Sequence, residues 1–409
     1  MKKNKSIKLA IVIIVITFLM VGLMAPLAGC EILDFFGGCD DYDNGNGGVT
    51  LCPECGNYPS ICDREYMVDG DGNRVFIPLE SSRAPVESDL TRPRPSHSLN
   101  LTGGGDFNDG LHIYFLDVGQ ADAVFIAFPN GETMLIDAGR WNYTTADFRT
   151  QLQSFFPNGR IFLDWFIVTH CHADHIGGAQ WVTQNAYIMN IIRPITFATH
   201  ANNNEIAAGA YRQFGLSSEG VRGQSTATMA NFVNGMNTAT WYDGKATNID
   251  IPRAGNYFEI GGAIVTFYTP TRYRYGTAAT TAPNYYSTIF CIYFEGRRIV
   301  FTGDAYTSSE NRVLEQLPRN IDILDIGHHG SNTSSGRYFL QRLNPRYAII
   351  QVGTPARGNS HGHPHNVVLN RIETYTDATI LRTDQHGKIL VQICRAGESK
   401  QVRPLLSAA

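Results

Sequence analysis

The chemistry of this chain is concentrated in Thr169-His170-Cys171-His172-Ala173-Asp174-His175-Ile176-Gly177-Gly178, where three imidazoles and one carboxylate fall within six residues. Neutral imidazole and carboxylate together suit Zn²⁺, Mn²⁺ or Fe²⁺. In a turn, the alternate residues His170 and His172 point the same way and can hold one metal. Asp174 and His175 can then turn towards a second. A single mononuclear metal is the competing reading of the same spacing.

Further polar residues stand where apolar runs stop. Asp304 ends Val300-Phe301-Thr302-Gly303-Asp304 and is suited to bridge two metals, because one carboxylate can bind both. Asp137 ends Met134-Leu135-Ile136-Asp137 and is suited to orient a ligand from behind. In Gly327-His328-His329-Gly330-Ser331, His328 is read as a metal ligand and His329 as a catalytic group that protonates a leaving oxygen. Ser360-His361-Gly362-His363-Pro364-His365 supplies three more imidazoles, of which His363 is the catalytic candidate. Asp174 counts both as a ligand and as a catalytic carboxylate. His200 is a candidate to complete the first metal's ligands. The turn Asp117-Val118-Gly119-Gln120-Ala121-Asp122 is a weaker signal, in which Asp117 and Asp122 can support the site.

These groups need strands to carry them. Residues 163–168 form an apolar run that reads as a buried strand ending at the metal motif, and a helical stretch follows Gly177-Gly178. Residues 111–117, 123–128 and 134–137 read as three strands, with Pro129-Asn130-Gly131-Glu132 as a turn. Residues 187–196 read as another. Paired runs at 257–260 with 263–269, and at 287–295 with 297–302, predict hairpins. Helical patterns at 308–317, 334–343 and 366–375 alternate with strands at 321–326, 347–352 and 389–393. Residues 200–256 read as polar loops and short helices. The order predicts an α/β chain of two mixed sheets packed face to face with helices outside.

Composition bounds the rest. The 409 residues carry a formal net charge of −4, and the first 29 contain four Lys and no acid, so the remainder is more acidic still. That is no footprint of a general nucleic-acid binder. Lys2, Lys3, Lys5 and Lys8, an apolar stretch at 9–24 and Leu27-Ala28-Gly29-Cys30 have the shape of a lipoprotein signal, residues 1–29, with Cys30 as the lipidated residue. An uncleaved anchor and a plain secretory signal are the alternatives. All three predict an extracytoplasmic protein, and lipidation would tie it to the cell membrane without spanning it. Residues 30–105 read as a Gly-, Asp- and Pro-rich tether. Its Cys39, Cys52, Cys55 and Cys62 form disulfides, hold a structural zinc or remain thiols. Residues 106–409 are the globular body.

Taken in order, Phe115-Leu116-Asp117-Val118-Gly119-Gln120, Leu135-Ile136-Asp137-Ala138-Gly139, the motif from Thr169 to Gly178, Asn284 with Ser287, Phe301-Thr302-Gly303-Asp304, His328-His329-Gly330-Ser331, Gly362-His363-Pro364-His365 and Arg382-Thr383-Asp384 with Gly387 resemble the metallo-β-lactamase fold superfamily. Within it, the pattern is similar to the hydrolase domain at the C-terminus of ComEC-type competence proteins. The likeness covers about residues 110–395. It departs at Ala121, where the family has Gly, and in the long polar stretch at 200–256. The resemblance implies an αββα sandwich with a dinuclear site, two Zn or Mn ions. It implies hydrolysis through a metal-bridged hydroxide, with His170, His172, Asp174, His175, Asp304 and His328 as ligands. Phosphodiesters, DNA among them, are the implied substrates. Lactone, β-lactam and phosphorylcholine-ester hydrolysis are the alternatives on the same fold. A non-catalytic surface binding lipoprotein is the alternative of a different class. No protein partner follows from the sequence.

Overall fold

Several strands of this chain are buried at every position rather than at alternate ones, those at Gly110–Phe115, Val124–Ala127 and Thr133–Ile136 among them, as expected where both faces of a sheet are covered. A computed structural model describes residues 110–140, 145–193, 227–269 apart from 253, and 283–394. It also describes residues 92 and 99–101 and four short strands outside those ranges. Of these, β1 (Tyr66–Val68) and β2 (Arg74–Phe76) pair antiparallel with each other, and β3 (Ala84–Pro85) joins a larger sheet.

One eight-stranded sheet is built from β4 (Gly110–Phe115), β5 (Val124–Ala127), β6 (Thr133–Ile136), β7 (Ile161–Ile167), β8 (Ala186–Ile192) and β9 (Asn248–Asp250). The second contains β3, β10 (Asn256–Ile260), β11 (Ala263–Phe267), β12 (Phe290–Phe294), β13 (Arg297–Phe301), β14 (Ile323–Asp325), β15 (Tyr347–Ile350) and β16 (Thr379–Arg382). Back in the first sheet, β17 (Ile389–Cys394) and β18 (Val402–Leu406) complete the order β18-β17-β4-β5-β6-β7-β8-β9. Apart from the short edge strand β3, which runs parallel to β10, each sheet is antiparallel on one side and parallel on the other. The change falls at β6–β7 in the first sheet and at β13–β14 in the second.

Alternation along the strands divides the apolar residues between layers. Leu111, Ile113 and Phe115 of β4 face the second sheet, whereas Tyr114 faces the outer helices. Between the sheets lie Phe115, Ile126, Trp165, Phe258, Phe290 and Ile349. Trp165 of β7 stacks on Phe258 of β10 at 3.6 Å between ring centroids, a direct tie between the two sheets. Removing such a buried aromatic side chain costs roughly 3–5 kcal/mol.

The helices cover the outer faces. On the first sheet, α1 (Thr145–Ser154) buries Phe148 and Leu152, spaced one turn apart. The short α2 (Ala173–Ile176) and α3 (Ala179–Asn185) follow the metal motif, and α4 (Ala227–Met236) adds Met229 and Phe232. On the second sheet, α5 (Thr307–Arg312) is followed by α6 (Arg337–Leu343), which buries Phe339 and Leu340, and by α7 (Asn366–Tyr375), which buries Val368 and Ile372. A last short turn is α8 (Thr383–His386). The architecture is an αββα sandwich, as the motifs implied.

Three features lie beyond the sequence reading. Packing reaches N-terminal of residue 106: β3 runs parallel to β10, Arg92 Nη2 donates to the Ala246 carbonyl at 2.9 Å, and Leu99 and Leu101 pack on the outer core of the first sheet. The stretch 200–256, read as loops and short helices, contains the helix α4 and, beyond that reading, the strand β9. The edge strands β16 and β18 were not read; β16 is only partly buried and so lacks a long apolar run. Among the described residues no helix is long and apolar enough to cross a membrane. The apolar stretch 9–24, Cys30, the four-Cys cluster and His200 lie outside them.

Candidate metal centre

The order of the strands brings the candidate residues together. In the first sheet β4, β6 and β7 run in the same direction, and in the second β13, β14 and β15 do. The loops at their C-terminal ends supply the turn 117–122, Asp137, the motif at 170–175, Asp304, His328 with His329, and the stretch 353–365. Ligands on loops after strands can converge without breaking ladder hydrogen bonds, and a rigid sandwich fixes where each loop begins.

Asp304 is at the middle. Its Oδ1 lies 3.1 Å from His175 Nε2 and 3.9 Å from His329 Nε2, and its Oδ2 lies 3.5 Å from both His170 Nε2 and His328 Nε2. Two groups of donor atoms share this neighbourhood. His170, His172 and Asp304 form one; Asp174, His175 and His329 form the other. In each, the donor atoms lie within 4.8 Å of one another. Asp304 also groups with Asp122 and His329.

Carboxylates and carbonyls stand behind the imidazoles. Asp137 Oδ2 accepts from His175 Nδ1 at 2.8 Å, and Asp122 Oδ2 lies 3.8 Å from the same nitrogen. Asp122 Oδ1 lies 3.0 Å from His329 Nδ1, which also meets the Gln351 carbonyl at 3.0 Å. These contacts place the proton of each ring on Nδ1 and turn Nε2 to the centre. Gln351 is itself held: its Nε2 donates to Asp325, and its Oε1 accepts from the Ala123 amide at 3.0 Å. Asp304 is positioned by Ser287, whose Oγ accepts from the Asp304 amide at 3.0 Å.

The backbone is bent to make this possible. Asp137, His328 and His329 all adopt positive φ, between 53° and 55°. Gly303 also has φ of +48°, and a Cβ there would lie 2.4 Å from Ser287 Oγ and 2.7 Å from Thr169 Oγ1. Left-handed conformations cost free energy in residues with a Cβ, and they gather where a site dictates side-chain direction.

Electrostatics follow from burial and close charges. Burial opposes protonation of His175, but Asp304, Asp137 and Asp122 outweigh it and hold its pKa well above that of ordinary imidazole. His329 is likewise raised against burial, by Asp122, Asp304 and Asp174. Burial raises Asp304, yet the surrounding imidazoles, His175 first, hold it well below the usual carboxylate range. Burial and the neighbouring His170 push His172 down to about 4. Burial also lowers His328.

A metal fits this donor set. His175 Nε2, His329 Nε2 and Asp304 Oδ1 are buried and have no hydrogen-bond partner. Buried polar atoms without partners are costly, and a cation coordinated by all three would remove that cost. The chemistry of the donors, imidazole with carboxylate, is that of a divalent transition-metal or zinc site.

The structure brings most of the sequence candidates together. His170, His172, Asp174, His175 and Asp304 all stand in the convergent groups. His329, read as a catalytic group, has its Nε2 in the second group, 3.5 Å from Asp174 Oδ2. His328, read as a ligand, faces Asp304 Oδ2, while its Nδ1 meets Thr333 Oγ1 at 2.9 Å. It belongs to none of the convergent groups among the described residues. His363 sits beside the pair, its ring centroid 5.7 Å from that of His328 and 6.3 Å from that of His329. His361 is exposed and His365 half-buried at the rim. Gln351 escaped the sequence reading. Its signal was a polar residue inside the apolar run at 347–352, which only makes sense if its amide is used.

A model of the metallo-beta-lactamase superfamily matches residues 116–353. The chain is 24% identical over 291 residues to ComE operon protein 3 of Bacillus subtilis, covering 68% of this chain and 32% of that protein. It is 26% identical over 276 residues to Recombination protein 2 of Haemophilus influenzae, covering 68% of this chain and 28% of that protein. It thus spans about a third of the length of these relatives. Among solved structures, the metallo-beta-lactamase fold protein YhfI from Bacillus subtilis superposes with a TM-score of 0.40 at 11% identity, over 68% of this chain and 99% of that one.

Proposed function

The chain belongs to the metallo-beta-lactamase superfamily, and from that premise we propose that it is a metal-dependent hydrolase of phosphodiesters, with two divalent ions, Zn or Mn, in its buried centre. The observation that carries the reading is the set of unpartnered buried atoms, His175 Nε2, His329 Nε2 and Asp304 Oδ1, the last lying 3.1 Å and 3.9 Å from the two ring nitrogens. His170, His172 and Asp304 would hold one ion and Asp174, His175 and His329 the other, with Asp304 Oδ1 close enough to His175 and His329 to serve both. Bound there, the ions supply charge neutralisation at phosphorus and a water acidic enough to act as nucleophile near neutral pH.

The chain's own residues do the rest. Asp137 and Asp122 keep His175 and His329 in the tautomer that presents Nε2 to the centre. His328 and His363 line the side on which a leaving oxygen can depart, and His363 donates a hydrogen bond to it. The phosphodiester class is supported by the likeness to a relative named for recombination, Recombination protein 2. An extracytoplasmic location, with lipid on Cys30 holding the protein at the membrane, is part of the same proposal and rests on the first 30 residues.

The test is a substrate panel on the full chain loaded with Mn²⁺ or Zn²⁺: bis-p-nitrophenyl phosphate, single-stranded DNA, a phosphorylcholine ester, a lactone and nitrocefin. Diester cleavage that disappears in Asp304→Asn is the expected result. Turnover of nitrocefin or lactone without diester cleavage would replace phosphodiester by another hydrolase class. A purified chain that retains neither metal would end the enzymatic reading.

A further inference from the structure

Gln120 is 2% exposed and has no part in the metal groups, yet its side chain is fully used. Its Oε1 accepts from the Gly353 amide at 3.3 Å, and its Nε2 meets His363 Nδ1 at 3.2 Å. Its own backbone amide donates to the Arg357 carbonyl at 3.1 Å. The loop it grips is also pinned from within. Asn359 donates to the Gly353 carbonyl at 2.9 Å and accepts from the His363 amide at 3.1 Å. The approach is close enough that a Cβ on Gly353 would lie 2.5 Å from the Gln120 nitrogen.

These contacts fix a proton. A backbone N–H can only donate, so the Gln120 atom facing Gly353 is the oxygen and the atom facing His363 is the amide nitrogen. That nitrogen can only donate, so His363 Nδ1 is the acceptor and carries no hydrogen. The proton of the neutral ring is then on Nε2. No hydrogen bond involves that nitrogen among the described residues, and His363 retains 8% exposure beside His328 and His329.

We infer that Gln120 is a positioning residue that locks His363 in the Nε2–H tautomer, so that a neutral imidazole offers a hydrogen bond to the leaving oxygen of a bound diester. This rests on the hydrolase reading of the neighbouring metal centre. The bond that breaks is P–O to the leaving group. A P–O bond forms from water as this one breaks, and the leaving group departs with the electron pair. The negative charge that develops on the departing oxygen is met by the His363 Nε2–H, whose proton stays on the ring, and the alkoxide takes the proton that neutralises it from solvent water. The other tautomer would turn a lone pair towards the same oxygen and repel it.

The experiment has two arms on the zinc-loaded full chain. Long-range ¹H–¹⁵N correlation of the imidazoles, with His363 assigned by its loss in His363→Gln, reads the tautomer directly. Nε2–H in the wild type and a mixture of tautomers in Gln120→Met are expected; Nδ1–H in the wild type would overturn the inference whether or not any variant folds. The second arm compares a dinucleotide, which leaves as an alkoxide, with bis-p-nitrophenyl phosphate, whose leaving group needs little help. Gln120→Met should lose on the order of 10- to 100-fold in kcat on the dinucleotide, with KM little changed, and far less on the nitrophenyl ester. Equal losses on both substrates would reduce Gln120 to a structural role and overturn the inference. A wild type that cleaves neither diester, with the expected tautomer, would overturn the hydrolase reading and the leaving-oxygen role while the Gln120–His363 lock itself stands.

Discussion

Asp137 Oδ2 accepts a 2.8 Å hydrogen bond from His175 Nδ1, and the same carboxylate takes the Thr169 amide on Oδ1 at 2.8 Å and the Thr169 hydroxyl on Oδ2 at 2.7 Å. One side chain thus fixes the entry to the metal motif and the ring at its end. It does so from β6, the strand next to β7 that carries the motif. Asp137→Ala would leave a buried imidazole N–H and a buried amide without acceptors. A loss on the order of 3 kcal/mol in unfolding free energy is expected, together with 10- to 100-fold weaker metal binding. Urea unfolding and isothermal titration with Zn²⁺ measure the two effects separately.

Metal retention should depend most on Asp304, which touches both donor groups. Asp304→Ala is expected to remove tight binding of either ion, whereas His172→Ala, at a half-buried position in one group, should remove one equivalent. Metal content after dialysis reports both. Because a ligand that binds only the folded state stabilises it, EDTA should lower the melting temperature of the wild type and leave Asp304→Ala unmoved.

Protons compete with metal at this site. His175 and His329 have pKa values held well above ordinary imidazole by the carboxylates around them, which favours the protonated rings in the metal-free protein. Those protons must leave when Nε2 takes a cation. Affinity should therefore rise with pH across the neutral range, with proton release on binding. Titration in buffers of different ionisation enthalpy gives the proton count. A pH-independent affinity would show that these rings are not ligands.

Glu310 is fully buried, and its carboxylate accepts the Ser335 amide at 2.6 Å and the Gly336 amide at 2.9 Å. Burial pushes its pKa up to about 7, against the pull of those amides and of Arg371. The folded-state value is raised, so this group's contribution to stability is fully present below about 4.5 and is lost as pH rises through about 7. The loss amounts to up to about 3 kcal/mol. Glu310→Gln cannot ionise and should lack this pH dependence, so the variant gains stability relative to the wild type as pH rises through this window. Urea midpoints from pH 4.5 to 8 test it.

Gly303 cannot carry a side chain without moving Ser287 and Thr169, which position Asp304 and accept the grip of Asp137. Gly303→Ala should cost roughly 2–4 kcal/mol, from the left-handed φ and the overlap together, and should weaken metal binding as well. Thermal unfolding and metal titration check both.

The layers and a cluster of residues able to bind metal were legible in the sequence. The order of strand and helix patterns predicts two mixed sheets with helices outside, and the resemblance of the motifs implies the αββα arrangement. Helix α7 was read at its observed limits because its apolar residues repeat with the helical period. The motif from His170 to His175 was legible because its ligands are local, six consecutive residues that must share one turn. Asp137 and Asp304 were legible because a carboxylate at the end of an apolar strand has few other reasons to be there.

Tertiary structure decided what depends on approach between distant segments. Adjacent residues His328 and His329 look alike in the chain, but the left-handed backbone at both sends only the second ring to Asp122 and Asp174. Gln351 reaches the site only through its carbonyl and through Asp325. Gln120 and His363 are 243 residues apart, on loops from opposite sheets, and which ring nitrogen carries the proton is set by an amide whose direction a third residue fixes. No local pattern encodes such a relationship, because hydrogen-bond direction is a property of the assembled neighbours and not of residue type.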